Sequence, residues 1–342
     1  MSCSLTIGAP LLTIGAAPQR PLRLIPNTEK RTAEDAEDAE GCFAGNELTH
    51  TTGQLRWTSI SRVRSCYHLR YTHMIDQKEL AFRYDLFIAP DWRDRFDTLI
   101  NENVELPAEG EILDVNCGTG AHAIELAELL RDKGAVIGID PNEERIAIAR
   151  AKAQVKKLDN IRFEEGFASE LPFESDRFEA VIGDASMLRG KDFQELLGEM
   201  TRVAQRDGRV ILKLATHGSF DEFFSIYWEA LHETGIDDDV WSALEQLINE
   251  RSTVSDVELL AQRSGLRNVQ TFVSKEEFTY ESGEAFLDSP LIEDSFLSDW
   301  LEIAPERIRT EIRRHIVSII ERERHHAPFE ISIKATVISG VK

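Results

Sequence analysis

Glu111-Ile112-Leu113-Asp114-Val115-Asn116-Cys117-Gly118-Thr119-Gly120 decides the fold of this 342-residue chain. Ile112, Leu113 and Val115 read as a short buried strand and Asn116 to Gly120 as a tight turn. Ala121 to Arg131 then reads as a helix, with Ile124, Ala127 and Leu130 on one face and Leu126 and Leu129 widening it. Gly118 and Gly120 permit positive φ and keep a Cβ out of the way of a ligand. The free N–H groups that open the helix add donors and positive potential. A strand, a glycine turn and a helix in this order place backbone against a nucleotide-like ligand.

Twenty residues after Gly120, Ala135-Val-Ile-Gly-Ile-Asp140 reads as a second strand ending in an acid, followed by Pro141-Asn142 and a new helix. Asp140 then stands at the carboxyl edge of the neighbouring strand, where a carboxylate accepts both hydroxyls of a ribose. Two families share this geometry. Gly118-Thr-Gly-Ala-His-Ala123 fits the loose G-x-G-x-x-A pattern of NAD(P)-dependent oxidoreductases and flavin enzymes. Asp114, four residues before Gly118, instead resembles the acid of D-x-G-x-G-x-G, motif I of the class I S-adenosylmethionine (SAM) dependent methyltransferases. In that family it helps hold the methionine amino group. The first glycine of that motif is Asn116 here, a residue type tolerant of left-handed φ.

The following segments keep to the methyltransferase pattern. Ile161 to Glu165 reads as a third strand, with Gly166-Phe167-Ala168 where such enzymes often have G-D-A, and Leu171-Pro172-Phe173 downstream. Phe167 either packs on the adenine face or belongs to the core; it cannot accept a hydrogen bond from the adenine amino group. Phe178 to Asp184 resembles the F-D-x-V fourth strand and Gly208 to Ala215 the fifth, with helices at Glu143 to Lys156 and Phe193 to Ala204. Val254 to Ser264 reads as a helix opened by Ser252 or Thr253, Asn268 to Val273 as a sixth strand, and Glu330 to Ile338 as a seventh. The alternation of Ile331, Ile333, Ala335 and Val337 in that last strand is typical of an antiparallel edge. The fold class is therefore α/β: a Rossmann-like, seven-stranded, mostly parallel sheet with an antiparallel last strand, flanked by helices. The resemblance implies the strand order 3-2-1-4-5-7-6. It also implies SAM as cofactor, with Asp114, Asn116, Cys117, Gly118, Gly120, Asp140, Pro141, Phe167, Ala168 and Asp184 around it.

Two stretches exceed a core of about 111–216. Residues 217–251 carry Phe220, Phe223, Phe224, Tyr227 and Trp228 on one helical face. Residues 282–326 carry Phe286, Leu291, Ile292, Phe296, Leu297 and Trp300, then the stripe Ile308, Ile312, Ile316, Ile319 and Ile320. Neither buries its apolar face alone. Packed together they either roof the cofactor site as a helical lid with a substrate pocket or form a subdomain core.

Charge bears on the substrate. Residues 1–73 hold 8 Lys and Arg against 7 Asp and Glu; the remaining 31 basic and 54 acidic residues give the rest a formal charge of −23. Such a surface repels phosphate backbones, so no nucleic-acid partner is expected. Arg307, Arg309, Arg313, Arg314, Arg322 and Arg324 are interleaved with Glu306, Glu311, Glu321 and Glu323, as on a self-paired helix surface. The D/N-P-P-Y/F signature of amino-directed nucleic-acid methyltransferases is absent, the fourth strand ending in Gly183-Asp184-Ala185-Ser186 and running on through Met187-Leu188-Arg189-Gly190. A small-molecule acceptor follows. Methyl transfer from a sulfonium needs a base only if the acceptor must lose a proton; His217, Asp184 and Tyr227 are the candidates, each with a structural alternative. His122 reads as a residue of the first turn of its helix. A non-catalytic SAM-binding role stays open beside the oxidoreductase.

Cys3, Cys42, Cys66 and Cys117 lack metal-ligand spacing and imply no disulfide framework, and no stretch is apolar for long enough to span a membrane, which together fit a cytoplasmic protein. Residues 1–73 lack periodicity and contain the repeat Ala33-Glu-Asp-Ala-Glu-Asp-Ala-Glu40, the mark of a disordered leader or of a start misassigned ahead of Met74. The methyltransferase-like part is 74–342, with Ile75 to Phe87 a leading helix. If that helix covers the cofactor, Tyr84 or Phe87 makes the contact, as in similar enzymes.

Overall fold

The computed structural model describes residues 76–188, 193–235, 239–324 and 327–342. The leader over 1–73, the start at Met74 and the Arg189-Gly190 part of the loop after the fourth strand lie outside them. Seven strands, β1 (Gly110–Val115), β2 (Gly134–Asp140), β3 (Ile161–Glu165), β4 (Phe178–Asp184), β5 (Ala204–Ala215), β6 (Arg267–Tyr280) and β7 (Phe329–Val341), form one sheet ordered β3-β2-β1-β4-β5-β7-β6. The first five pair in parallel, and β7 runs antiparallel to both β5 and β6. The antiparallel direction and the strand order agree with expectation, but β7 is not an edge. β6 closes the sheet beyond it and carries the alternating exposure of an edge strand, while Thr336 and Ser339 of β7 are buried along with its apolar residues.

Both faces of the parallel strands are covered, so consecutive apolar residues serve opposite layers. Ile112 packs with Ile100 of the helix α2 (Asp94–Asn103), with Ile124 of α3 (Ala121–Leu130) and with Ile146 of α4 (Glu143–Lys156). Its neighbour Leu113 joins the other layer, with Met200 of α5 (Phe193–Val203) and, beyond the helices α6 (Asp221–Glu233) and α7 (Asp239–Asn249), Val257 of α8 (Val254–Arg263). Local signals set the helix starts. Asn142 Oδ1 accepts from Arg145 N at 3.0 Å, and Thr253 and Asp256 form a reciprocal capping box, each cap being worth about 1 kcal/mol.

The leading helix α1 (Gln77–Arg83) does not end near Phe87. It continues through a wide π-helical segment, Tyr84–Arg93, directly into α2. Pro90 lies in this segment; it has no N–H to donate and crowds the carbonyl four residues before it, which a wider turn relieves.

The two inserts close on each other. Phe220, Phe223 and Tyr227 are buried with Phe286, Phe296, Trp300 and the stripe Ile312, Ile316, Ile319 and Ile320 of the last helix, α9 (Glu306–Arg324). Trp92 and Phe96 of the leading helices and Ile331 and Ile333 of β7 join this cluster, so the aromatic stripe is core rather than the wall of an open pocket. Trp228 is the exception, exposed and stacked on His232. Within the arginine group, Arg313 pairs with Asp288 and Arg322 with Glu229 and Glu233, while Arg309 donates to the carbonyls of Ala304 and Glu302. The side chain of Arg324 lies outside the described residues.

Candidate functional site

The turn after β1 is built as its residues dictate. Asn116, Gly118 and Gly120 all have positive φ, at 58°, 60° and 76°. Asn116 holds its turn by donating from Nδ2 to the Asp184 carbonyl at 2.8 Å, which bridges the ends of β1 and β4. Two different crowdings require the glycines. A Cβ on Gly118 would stand 2.5 Å from Nη1 of Arg93 and 2.8 Å from the Tyr84 hydroxyl, and one on Gly120 would stand 2.6 Å from the Phe163 ring. Asp140 is buried at the end of β2 and accepts from Gly118 N at 2.8 Å and from Asn142 N at 3.0 Å, so it ties the turn to the next helix. Cys117 is buried, and burial first, then the nearby Asp114 and Asp140 charges, pushes its thiol well up, so it stays neutral.

Beneath the turn lies a cluster of buried ionisable groups drawn from distant elements. Lys213, within β5, donates to Asp97 of α2 at 2.6 Å and stands 3.5 Å from Asp184 at the end of β4. Arg93 lies 3.1 Å from the same Asp184 carboxylate and donates from Nη1 to the Tyr84 hydroxyl at 2.9 Å and to the Asn116 carbonyl at 2.7 Å. Arg145 stacks 3.8 Å over the Tyr84 ring. Asp184 also accepts from the Ser186 N–H and hydroxyl, at 2.9 and 2.6 Å, and Ser186 accepts from the Trp92 indole at 2.8 Å. His122, on the first turn of α3, is buried with Nδ1 3.4 Å from Asp97 and no hydrogen bond on either ring nitrogen.

Burial and pairing compete at every member of this cluster. For Asp184 burial pushes upward, but Arg93, Lys213 and the Ser186 hydrogen bonds outweigh it and hold the carboxyl down at about 2. Asp97 is lowered in the same way, chiefly by Lys213. His122 is pulled down to about 4 by burial, against the raising influence of Asp97, and is neutral at pH 7. Asp114 goes the other way: wholly buried, with no hydrogen-bond partner on either oxygen, it is pushed up to about 6 by burial in spite of Lys213 and Arg93. An unpaired buried carboxylate is costly and marks a site made for a cation or a donor.

The residues singled out in the sequence fall into three groups. Asp114, Asn116, Cys117, Gly118, Gly120, Asp140, Asp184 and Tyr84 gather around the turn. Pro141 is exposed beside it, and at the end of β3 Phe167 is 64% exposed, so it is not core, while Ala168 is half-buried. The third group is the set of proton acceptors. Tyr227 is buried in the insert core and donates to the Trp300 carbonyl at 2.7 Å. His217 is exposed on the turn after β5, its backbone N–H donating to the Ser252 carbonyl. Asp184 is bound in ion pairs. Phe87, the alternative to Tyr84, is 55% exposed. Missed by the sequence reading were Arg93, Asp97 and Lys213. Lys213 carried a signal: a lone cation within Val210-Ile-Leu-Lys-Leu-Ala215, a buried strand, demands a buried acid.

The parallel sheet reverses its order between β1 and β4, with a glycine turn and buried acids at that point, the place where open α/β sheets take their ligands. Residues 107–257 match the family model described as Methyltransferase domain. That stretch, less than half of the chain, is similar to the methyltransferase domain of class I SAM-dependent enzymes. It is 31% identical over 134 residues to a demethylmenaquinone methyltransferase of Shouchella clausii (strain KSM-K16), a match spanning 39% of this chain and 56% of that protein. It is also 31% identical over 114 residues to the uncharacterized methyltransferase YcgJ of Bacillus subtilis (strain 168), over 33% of this chain and 44% of that one. The crystal structure of the YcgJ protein aligns with 73% of this chain and 98% of its own, at 21% identity and a TM-score of 0.48. The chain thus spans about half the length of the curated relatives it matches. No helix among the described residues is long and apolar enough to cross a membrane, and no group of three or more candidate ligands there could hold a metal ion.

Proposed function

We propose that this protein transfers a methyl group from SAM to a small-molecule acceptor. The observation that carries the reading is the Asp114 carboxylate, buried and without a partner on either oxygen beside the glycine turn. It suits the α-ammonium of the cofactor's methionine part, and the Arg93 guanidinium, which reaches the Asn116 carbonyl, suits its carboxylate. Asp140 would take the ribose hydroxyls, and the exposed face of Phe167 the adenine ring. Bound SAM supplies a sulfonium methyl that is already electrophilic.

The chain's own part is then to hold the acceptor in line and to keep water out, worth about 7 to 11 kcal/mol in favourable cases. Two of the three candidate bases do not support proton abstraction: Asp184 is held at about 2 by its cations and Tyr227 is committed to a backbone carbonyl, which leaves His217, exposed on the turn after β5. His217 is therefore the candidate base for an acceptor that must lose a proton, and an acceptor whose nucleophilic atom is already free of its proton needs none. The reading places the protein in the cytoplasm, acting without nucleic acid. Incubating the full chain with SAM and pooled metabolites tests it: S-adenosylhomocysteine should accumulate with one or a few fractions. Binding of SAM with persistent absence of that product across all fractions would instead favour a silent SAM-binding protein.

A further inference from the structure

The insert after β5 ends in an arginine that nothing in the site accounts for. The Arg251 guanidinium carbon lies 4.9 Å from the ring centre of Phe220 and 5.8 Å from that of Phe296. Phe220 in turn stacks on Trp92, with ring centres 5.9 Å apart and planes 7° from parallel, and the Trp92 indole donates to Ser186, which bonds Asp184. The next residue, Ser252, accepts the His217 N–H at the carboxyl end of β5. Arg251 is thus joined to the Asp184 cluster through one layer of aromatic rings, at the edge of the sheet where an acceptor must enter.

Its bonding differs from that of three neighbouring arginines, and resembles that of Arg145, which is also held by an aromatic face. Arg83 pairs with Glu293 and Asp294, Arg93 with Asp184, and Arg95 with Asp91 and Glu276. Arg251 is half-buried, and among the described residues it makes no hydrogen bond and no ion pair. Burial pulls its guanidinium down to about 10 against the charge of Glu250. Two ring faces hold the group in place without using its N–H donors. A fixed planar fork with free donors matches a carboxylate, which it binds through two parallel hydrogen bonds. A chain with a formal charge of −22 repels acids in general, so one that uses them needs such a cation at the site.

We propose that Arg251 anchors a carboxylate of the methyl acceptor, so that the substrates of this protein are organic acids. The assignment of that ligand as the acceptor rests on the methyl-transfer reading above. Benzoate and benzamide share a ring and differ in the charged group, and ligand-observed NMR titration of each into the full chain reads the difference. The native protein should bind benzoate at least tenfold more tightly than benzamide. Arg251→Gln should remove that preference, Arg251→Lys should keep part of it, and both should bind S-adenosylhomocysteine as the native chain does. Equal binding of the two probes, no binding of benzoate, or a preference that survives Arg251→Gln overturns the proposal. The homocysteine titration separates the two claims: a chain that ignores that ligand yet keeps an Arg251-dependent preference for benzoate defeats the methyl-transfer reading and leaves the carboxylate site standing.

Discussion

Replacing Asp114 by Asn should make the ligand-free protein more stable while crippling its site. With the carboxyl raised from its ordinary 3.8 to about 6, the fold prefers the protonated form. The sign follows from proton counting: between those two values the native state binds more protons than the unfolded chain, so stability falls as pH rises through that window. At pH 8 the ionised carboxylate costs about 3 kcal/mol, and at pH 5 about half of that. The amide of Asp114→Asn is nearly isosteric with the carboxyl and uncharged, so it carries none of this pH dependence. At about 2 °C or more per kcal/mol for a domain of this size, the variant should melt roughly 6 °C above the native protein at pH 8, with a smaller gap at pH 5. Differential scanning calorimetry of both proteins across pH 5 to 8, without ligand, is the assay. In the same variant, loss of a charge-assisted hydrogen bond to the ammonium, about 1.5 to 3 kcal/mol, should weaken S-adenosylhomocysteine roughly ten- to hundredfold. A variant that melts below the native protein at every pH would refute the reasoning, because it would mean that Asp114 is satisfied in the fold.

Lys213→Ala should destabilise by about 3 to 5 kcal/mol, since it leaves Asp97 without its 2.6 Å partner and takes one of two cations from Asp184; urea unfolding measures it, and a loss under 1 kcal/mol would contradict the buried cluster. Phe167→Ala should leave the urea midpoint unchanged, because the ring is exposed, yet weaken S-adenosylhomocysteine about tenfold by loss of base stacking; unchanged affinity in a titration would remove Phe167 from the adenine site. Tyr227→Phe should cost about 1 kcal/mol for the lost bond to Trp300 and leave the rate of methyl transfer within a few-fold; a collapse of kcat with a folded protein would restore Tyr227 as a base.

Local chemistry explains why part of this molecule is legible in its sequence. Helix α4 begins and ends where the residues after Asp140 place it, because Asn142 caps it and its apolar residues keep a helical period. The turn from Asn116 to Gly120 takes its positive φ angles from residue types suited to them. What escaped was assembled from distant elements. Arg93, Asp97 and Lys213 each read as an ordinary charge on its own helix or strand, and only the pairing of α2 with β5 across 116 residues turns them into one cluster. The aromatic stripe of α6 had a clear face, but no residue in it says whether that face meets a ligand or Trp300; the 4.3 Å stacking of Phe223 on Trp300 answers in favour of packing. Phe167 presented the same ambiguity, and its exposure takes it out of the core.

The central claim is that the glycine turn, with Asp114 beneath it, is a SAM site. Isothermal calorimetry of the full chain with SAM, S-adenosylhomocysteine and NAD(H) tests it most directly. The account predicts one SAM and one S-adenosylhomocysteine per chain, both lost or weakened at least tenfold in Asp114→Asn, and no heat with NAD(H). Binding of NAD(H) without SAM, or SAM binding that Asp114→Asn leaves untouched, would contradict it.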